Sequence, residues 1–491
     1  MSRQLRPHQT RIMERLRQSL ASGHRRPMVQ APTGAGKTVV AGAIVKGARS
    51  KAKRVLFVVP AIALIDQTVR SFLAEGICHI GVIQGSHPMT DPAAPVQVAS
   101  IQTLQRREIP PFDVVVIDEA HRHFEMVGKW MAAEDWQDVP FVGLSATPWT
   151  KGLGKHYDDL IQVTTTAELI AAGYLSPFRV YAPSHPDLAG VRTVAGDYHE
   201  GDLSQAMNKP ELVADVVTTW RQQGEDRPTF VFAVDRAHAK RLQTEFEGAG
   251  IPCGYIDAYT TSDEREALFG RFTAGDLRVI ASVGCLTTGV DLDVRCIVLA
   301  RPTKSEMLFV QIIGRGLRMP EPHPIYGPKS DCKILDHSDT HLRLGFVTDI
   351  HHDALDDGRA RQKQEPQARP EALPKKCPSC AFLKPAKVPK CPACGFKPEK
   401  QSEIRCEDGN LVELKRERAR AKADERIALF GQLRLYGRRR GYAPGWAAHQ
   451  FKELTGQWPN QLQHAPEREP ERFILNWLKS RQIASAKRRT A

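Results

Sequence analysis

The 491-residue chain has no long apolar run: the longest, residues 55–65, is broken by Pro60 and falls short of the roughly 20 residues that a membrane-spanning helix needs. A transmembrane protein is therefore not expected. Residues 1–26 are rich in Arg but carry no apolar core segment, so no secretory leader is expected and a cytoplasmic location is. Net charge is missing from most of the chain, since residues 1–350 hold 39 Lys+Arg against 39 Asp+Glu. The remaining residues hold 30 against 17, so the whole excess of +13 is C-terminal. A neutral body with a basic tail suggests an appended contact with a polyanion; a solubilising tail would look the same by charge alone. A disulfide framework is also missing. Cys78, Cys253, Cys285, Cys296, Cys332 and Cys406 are scattered, several beside apolar runs, and most read as buried, inert thiols.

What is present starts at Ala31-Pro32-Thr33-Gly34-Ala35-Gly36-Lys37-Thr38, between a short apolar run and a helical stretch. Strand, glycine-containing loop and helix in that order make a phosphate-cradling P-loop. The glycines let backbone N–H groups approach phosphate oxygens, and the helix N-terminus adds partial positive charge. Lys37 would reach the β- and γ-phosphates and Thr38 would hold Mg²⁺. Ala31 stands where the general pattern has its first Gly.

Strand-length apolar runs recur at residues 55–59, 96–99, 114–117 and 141–144, and again at 230–234, 279–283, 297–300 and 334–335. Helical stretches such as 236–247 and 264–272 lie between them. Alternating buried strands and helices predict two tandem parallel α/β domains. The expected division is residues 1–165 and 228–350 for the two domains, with 166–227 connecting them. Residues 351–376 have linker composition, 377–398 form a cysteine module, and 399–491 form a basic, mainly helical tail.

The run at 114–117 ends in Asp118-Glu119-Ala120-His121. It delivers two carboxylates to the C-terminal edge of a sheet, where ligands of open α/β folds bind. Asp118 can hold Mg²⁺ through water, and Glu119 can orient and deprotonate the attacking water. An apolar strand ending in these residues, about eighty positions after the Gly-Lys-Thr loop, points to an ATPase.

The set resembles the superfamily 2 helicases, in order through residues 1–350, and the resemblance implies that the two α/β domains are RecA-like. The resemblance implies that Leu5-Arg6-Pro7-His8-Gln9 reads the adenine, with Arg6 beside it and Gln9 pairing the base; His8 stands where the family often has an aromatic residue. Val59-Pro60-Ala61 with Asp66-Gln67-Thr68, and Ser100-Ile101-Gln102-Thr103, resemble nucleic-acid contacts. Ser145-Ala146-Thr147-Pro148 resembles the segment that couples hydrolysis to domain movement. Phe230-Val231-Phe232 resembles the fourth helicase motif. In the fifth, Leu286-Thr287-Thr288-Gly289-Val290-Asp291, Thr288 would touch nucleic acid, Gly289 would allow close approach and Asp291 would face the nucleotide. The sixth is Gln311-Ile312-Ile313-Gly314-Arg315-Gly316-Leu317-Arg318, with Gln311 coupling and Arg315 and Arg318 as arginine fingers expected on one helical face. With Cys332-Lys333-Ile334-Leu335-Asp336-His337, the likeness narrows to the XPB-like branch and to bacterial RadD-type and prophage helicases. That implies DNA, double-stranded or branched, more than RNA. An RNA helicase on the same core is the first alternative, and the motor subunit of a restriction-type nuclease the second.

Cys377-Pro378-Ser379-Cys380 and, ten residues on, Cys391-Pro392-Ala393-Cys394 have the spacing of a four-thiolate structural Zn²⁺ site. Its role is a nucleic-acid grip, with Lys384, Lys387, Lys390 and Lys397 nearby, or a folded spacer. In the tail, Arg434, Arg438, Arg439 and Arg440 precede Tyr442, Trp446 and Trp458. These aromatics could stack bases, or Trp446, Phe451, Trp458 and Trp477 could form a small helical core. Asp408 with Glu413-Leu414-Lys415 mimics a metal-dependent nuclease pattern, but no second α/β unit of nuclease size surrounds it.

Overall fold

Val- and Ile-rich runs such as Val55–Val59, buried at all five positions, suit strands covered on both faces by helices, and the chain uses them in that way twice. The computed structural model describes residues 4–358, 373–397 and 417–478, apart from positions 123, 183–185, 288–289, 387, 444, 456–457, 460–461, 463, 472–473 and 476. The first sheet contains β1 (Pro27–Gln30), β2 (Val55–Val59), β3 (Ile80–Ile83), β4 (Val96–Ser100), β5 (Val114–Asp118), β6 (Phe141–Ser145) and β7 (Asp159–Gln162). It is parallel throughout, in the order β3-β4-β2-β5-β6-β1-β7. Strands β5, β6 and β1 are therefore neighbours, and the loops after them carry the acidic pair, the Ser-Ala-Thr segment and the P-loop.

The chain continues with β8 (Phe178–Tyr181), a hairpin of β9 (Thr193–Val194) and β10 (Asp197–Tyr198), then β11 (Thr229–Phe232), β12 (Cys253–Ile256), β13 (Val279–Ser282), β14 (Cys296–Leu299) and β15 (Cys332–Asp336). The second sheet runs β12-β13-β11-β14-β15-β8 and is also parallel. Two expectations need correction. Residues 166–227 are not only a connection, because β8 pairs with β15 and closes that edge of the second sheet. Residues 351–358 are not only a linker either: the Gly154 N–H donates to the Asp356 carbonyl at 2.8 Å, and half-buried Leu355 packs on the first lobe's core. His352, on the same strap, lies 4.8 Å from the Trp149 ring and 2.7 Å from Glu306 at the head of a second-lobe helix.

The cysteine module forms the strands β16 (Lys375–Lys376) and β17 (Leu383–Lys384) and docks on the end of β8. There the Ala182 N–H donates to the Ala381 carbonyl at 3.0 Å, and Tyr181 bridges Phe382. Among the scattered cysteines, Cys253, Cys296 and Cys332 are buried, whereas Cys78 is exposed. Burial pushes the Cys253 thiol up to about 12 and Cys332 up to about 11, which keeps both protonated and unreactive.

Residues 399–491 make a second compact unit. The helices Glu417–Arg439 and Trp446–Thr455 pack around Phe430, Leu433 and Phe451, with Trp446 and Trp477 against that core. Two of the tail's arginines are neutralised, Arg438 by Glu467 and Arg439 by Glu469. Trp458 stays 41% exposed, outside the expected core. Among the described residues no helix is long and apolar enough to cross a membrane.

His238 in the helix Arg236–Gly248 is buried, and its Nδ1 accepts the Val234 N–H at 3.3 Å, which requires a neutral ring. Burial accordingly lowers its pKa from 6.5 to about 4. The unfolded chain takes up that proton first, so the contribution of the neutral ring is complete above the unfolded value and is lost as pH falls towards 4. The thermal midpoint should fall between about pH 7 and about pH 5, less steeply in His238→Gln. An equally steep fall in the variant would contradict the neutral, acceptor ring.

Candidate nucleotide and interlobe site

After β1 the chain must turn sharply and start a helix, and Gly34 and Gly36, both at φ 85°, make the turn. The helix Lys37–Arg49 then begins with Lys37 pointing across to the end of β5. Lys37 Nζ lies 2.9 Å from Asp118 Oδ1 and also donates to Glu119 Oε1. Burial works against the ammonium, but the two carboxylates outweigh it and its pKa is raised. Burial raises the Asp118 carboxyl; it opposes ionisation of Glu119 too, where Lys37 and then His121 prevail and hold that carboxyl low. Glu119 also sits at φ 48°, a left-handed conformation that a non-glycine residue adopts at some cost.

From Glu119 a chain of polar contacts reaches the second lobe. His121 Nδ1 stands 3.5 Å from Glu119 Oε2 and 2.8 Å from Ser145 Oγ. Ser145 Oγ accepts the Thr147 N–H at 3.0 Å, and Gln311 Nε2 donates to Thr147 Oγ1 at 3.4 Å. Burial drops the His121 pKa to about 4, so its ring is neutral at physiological pH.

The opposite wall comes from the helix Glu306–Gly316 and the residues after it. Arg315 donates to the carbonyls of Val290, at 2.7 Å, and Thr287; Arg318 donates to the same Val290 carbonyl at 2.8 Å and pairs with Asp291. Contrary to expectation, Arg318 does not share a helical face with Arg315. The helix ends at Gly316, and Arg318 lies in an extended segment bridged to Leu175. The two guanidiniums converge because both reach Val290. Burial, with Arg318 adding repulsion, lowers the Arg315 pKa to about 9. The Nε atoms of both arginines are buried and make no hydrogen bond, as is Glu119 Oε2. Lys329 positions this segment: its buried ammonium donates to the carbonyls of Val294 and Gly316, both at 2.6 Å, and of Arg318 at 2.8 Å.

These walls enclose a cleft of about 390 Å³ that the P-loop, Glu119, Gln311, Arg315, Arg318 and Asp291 all line. Thr33 and Thr38 lie on the P-loop side, where a Cβ added to Gly314 would stand 2.5 Å from Thr33, whereas Ala35 is buried in the core. The lobes thus touch at Gly314. Gln9 lines the cleft and is also tied to the chain. Its Oε1 accepts the Arg6 N–H at 2.9 Å and its Nε2 donates to the Ala35 carbonyl at 2.9 Å, so both ends of the amide are engaged with the chain. Tyr174 and Gln4, which motif reasoning missed, also line the cleft. Tyr174 belongs to no motif; only its place after the turn at Gly173 brings it there.

The proposed nucleic-acid contacts are only partly available. Pro60 and Ser100 are buried, and Ser100 Oγ caps the helix Ile101–Leu104 by accepting the Thr103 N–H at 3.1 Å. Thr103 Oγ1 lies 2.9 Å from the same hydroxyl. Gln67 and Gln102 are exposed, and Gln102 accepts the Ile62 N–H at 3.4 Å. Thr288 and Gly289, together with Lys387, Cys406, Asp408, Glu413 and Lys415, lie outside the described residues.

The sulfurs of Cys377, Cys380, Cys391 and Cys394 lie within 4.8 Å of one another. The pairs 377–394 and 380–391 stand 3.7 Å apart. Four sulfurs at about 2.3 Å from a tetrahedral centre are separated by roughly 3.8 Å, so the cluster fits a small zinc ribbon. Ala381, at φ 57°, and Gly395, at φ 75°, follow the two pairs and give both knuckles the same backbone turn. One expected grip residue is withdrawn: Lys384 is buried and donates to the Pro389 carbonyl at 3.0 Å.

Comparison with known proteins agrees with this geometry. Residues 2–150 match the family described as type III restriction enzyme, res subunit, and residues 208–320 match the helicase conserved C-terminal domain. The chain belongs to the superfamily 2 helicases. A 51.5 kDa protein of Lactococcus phage (isolate 7-9) is 27% identical over 93% of this chain and 100% of its own length. IRC3 of Saccharomyces cerevisiae, provisionally assigned as an ATP-dependent helicase, is 28% identical over 68% of this chain, which spans 51% of that relative. In fold, the chain is similar to the ATP-dependent type ISP restriction-modification enzyme LlaBIII bound to DNA, with a TM-score of 0.50 and 19% identity over 69% of this chain and 28% of that one.

The contact at Gly314 is tight on one side only of what a substitution would test. Gly314→Ala should cost about 1–3 kcal/mol of stability by forcing Thr33 away, whereas Gly270→Ala, in a helix with nothing within 4 Å of the added Cβ, should be neutral or stabilise by up to about 1 kcal/mol. Equal midpoints in denaturant for the two variants would refute the packing at Gly314.

Proposed function

We propose that this protein is an ATP-driven DNA motor, a helicase or translocase acting on duplex or branched DNA in repair, recombination or phage-type DNA metabolism. The observation that carries the reading is the convergence of Lys37 and Glu119 from one lobe and Arg315 and Arg318 from the other on a single cleft, with Asp118 paired to Lys37 beside it. On this reading the N–H groups of residues 34–38 cradle the phosphates, and Lys37 leaves its carboxylates to join them. Thr38 and Asp118 would hold Mg²⁺, which when bound neutralises phosphate charge. Glu119, freed from Lys37, orients the attacking water and takes its proton. Arg315 and Arg318, both lining the cleft, stabilise charge on the transferred phosphoryl group. The contacts from Glu119 through His121, Ser145 and Thr147 to Gln311 report phosphate loss to the second lobe, and alternating grip moves the chain along DNA. A restriction-type motor is the second reading, favoured by 28% identity to the type I restriction enzyme EcoAI endonuclease subunit of Escherichia coli over 64% of this chain.

The Glu119→Gln variant should retain ATP affinity and hydrolyse it at least about a hundredfold more slowly. Normal turnover would refute the base assignment. Arg315→Ala should likewise lose turnover with affinity within a few-fold. Comparing ATPase stimulation by duplex DNA, single-stranded DNA, forks and RNA separates the DNA motor from an RNA helicase, and a preference for RNA would overturn the DNA reading.

The four thiolates are proposed to bind one structural zinc ion. Metal analysis of the purified chain should find one equivalent, lost in Cys391→Ser together with several degrees of thermal midpoint, while Cys285→Ser keeps both. Retention of the metal by Cys391→Ser would refute the site.

A further inference from the structure

The cleft has a phosphate end built from well-defined motifs; Gln9 lines the cleft too, with one hydrogen bond from each end of its amide to the chain, but offers no flat face on which a base could lie. Tyr174 stands at the other end. It follows the helix Thr166–Ala171, whose capping box between Thr165 and Glu168 fixes its start, and the turn at Gly173, φ 73°. The Tyr174 N–H then donates to the Leu169 carbonyl at 2.9 Å, so the ring is carried on a fixed backbone. The ring is half-buried. Arg6 covers one face, its guanidinium carbon 4.8 Å from the ring centroid, and the buried His8 meets it edge-on at 5.2 Å. The Arg6 side chain is exposed and can move, whereas its backbone is pinned at the start of the helix Pro7–Ala21. A rigid aromatic face under a movable cation, at the open end of a phosphate cleft, suits a planar heterocycle.

We propose that Tyr174 is the base-stacking wall of the nucleotide site. The nucleobase lies on the Tyr174 ring, and Arg6 gives up that face and closes over the outer side. The inference rests on the nucleotide-binding reading of the cleft and adds the residue that holds the base. It also makes the connection between the lobes part of the site. Leu175 fills the space beside Gly34, where an added Cβ would stand 2.5 Å from its Cδ2, and the Ser176 N–H donates to the Leu317 carbonyl at 2.8 Å. Three consecutive residues thus meet the base, the P-loop and the arginine-bearing segment.

The test compares ATP with inorganic tripolyphosphate, which has the phosphates and no base, by titration calorimetry on the full-length chain with Mg²⁺. Tyr174→Ala should weaken ATP about tenfold and leave tripolyphosphate within twofold; Tyr174→Phe should match the wild type for both. Equal weakening of the two ligands by Tyr174→Ala would overturn the proposal in favour of a structural effect relayed through Leu175 and Gly34. Unchanged ATP affinity would overturn it outright. A wild-type chain that binds neither ligand would refute the nucleotide reading itself, and this proposal with it.

Discussion

One half-buried ammonium holds the first lobe's chemistry together. Lys37 reaches from the loop after β1, over β6, to both carboxylates at the end of β5. Removing these three groups from water is costly, and leaving one unpaired would cost more than the trio returns together. The geometry of the P-loop is thereby tied to the left-handed backbone at Glu119. The second lobe has a counterpart: Arg315 and Arg318 share the Val290 carbonyl, and Lys329 fixes the carbonyls of the segment that carries Arg318. Each wall of the cleft is satisfied internally before substrate arrives. At the cleft the Nε atoms of the two arginines make no hydrogen bond, and Glu119 Oε2 has only His121 Nδ1 near it, at 3.5 Å.

Contact between the lobes runs through three separate structures. The polar chain from Glu119 to Gln311 ends on the arginine-bearing helix. The connection at residues 174–176 touches Gly34 on one side and Leu317 on the other. The strap at residues 351–358 joins Glu306, at the start of that same helix, to the first lobe at Gly154. All three bear on the helix Glu306–Gly316 or its continuation. A change at Glu119 therefore meets a helix held at its head, middle and tail, which favours rigid-body movement of the second lobe over local distortion.

The parts legible in the sequence are those whose chemistry is local. Gly36-Lys37-Thr38 and Asp118-Glu119 announce themselves because adjacent residues on one strand-to-loop junction act together, and hydrophobic runs give both parallel sheets. The four cysteines are legible for the same reason, by spacing. What escaped depends on placement by the rest of the fold. Tyr174 and Lys329 belong to no periodic pattern, and β8 lies in a stretch whose Gly and Pro content suggested a connection. Arg318 misled in another way: three-residue spacing implies a shared face only while the helix lasts, and it stops at Gly316. Gln9 and Ser100 have the expected identities, yet Gln9 also bonds to the Arg6 N–H and the distant Ala35 carbonyl and Ser100 to the nearby Thr103 N–H, and no sequence pattern reveals such bonds.

The cysteine module shows how docking can redirect a motif's meaning. An edge strand such as β8 presents unpaired backbone groups, and covering them prevents edge-to-edge association. The module supplies that cover: Ala381 accepts from Ala182, Phe382 bridges Tyr181, and Leu383 joins the second lobe's core. Lys384 faces inward and is spent on the Pro389 carbonyl, so it is withdrawn from any contact with phosphate. A grip, if built here, falls to the exposed Lys390 and Lys397 on the far knuckle. The near knuckle belongs to the sheet. Metal binding at the four thiolates would then stabilise not an independent appendage but the edge of the lobe that carries Arg315 and Arg318, which links the integrity of the ribbon to the arginine wall of the cleft.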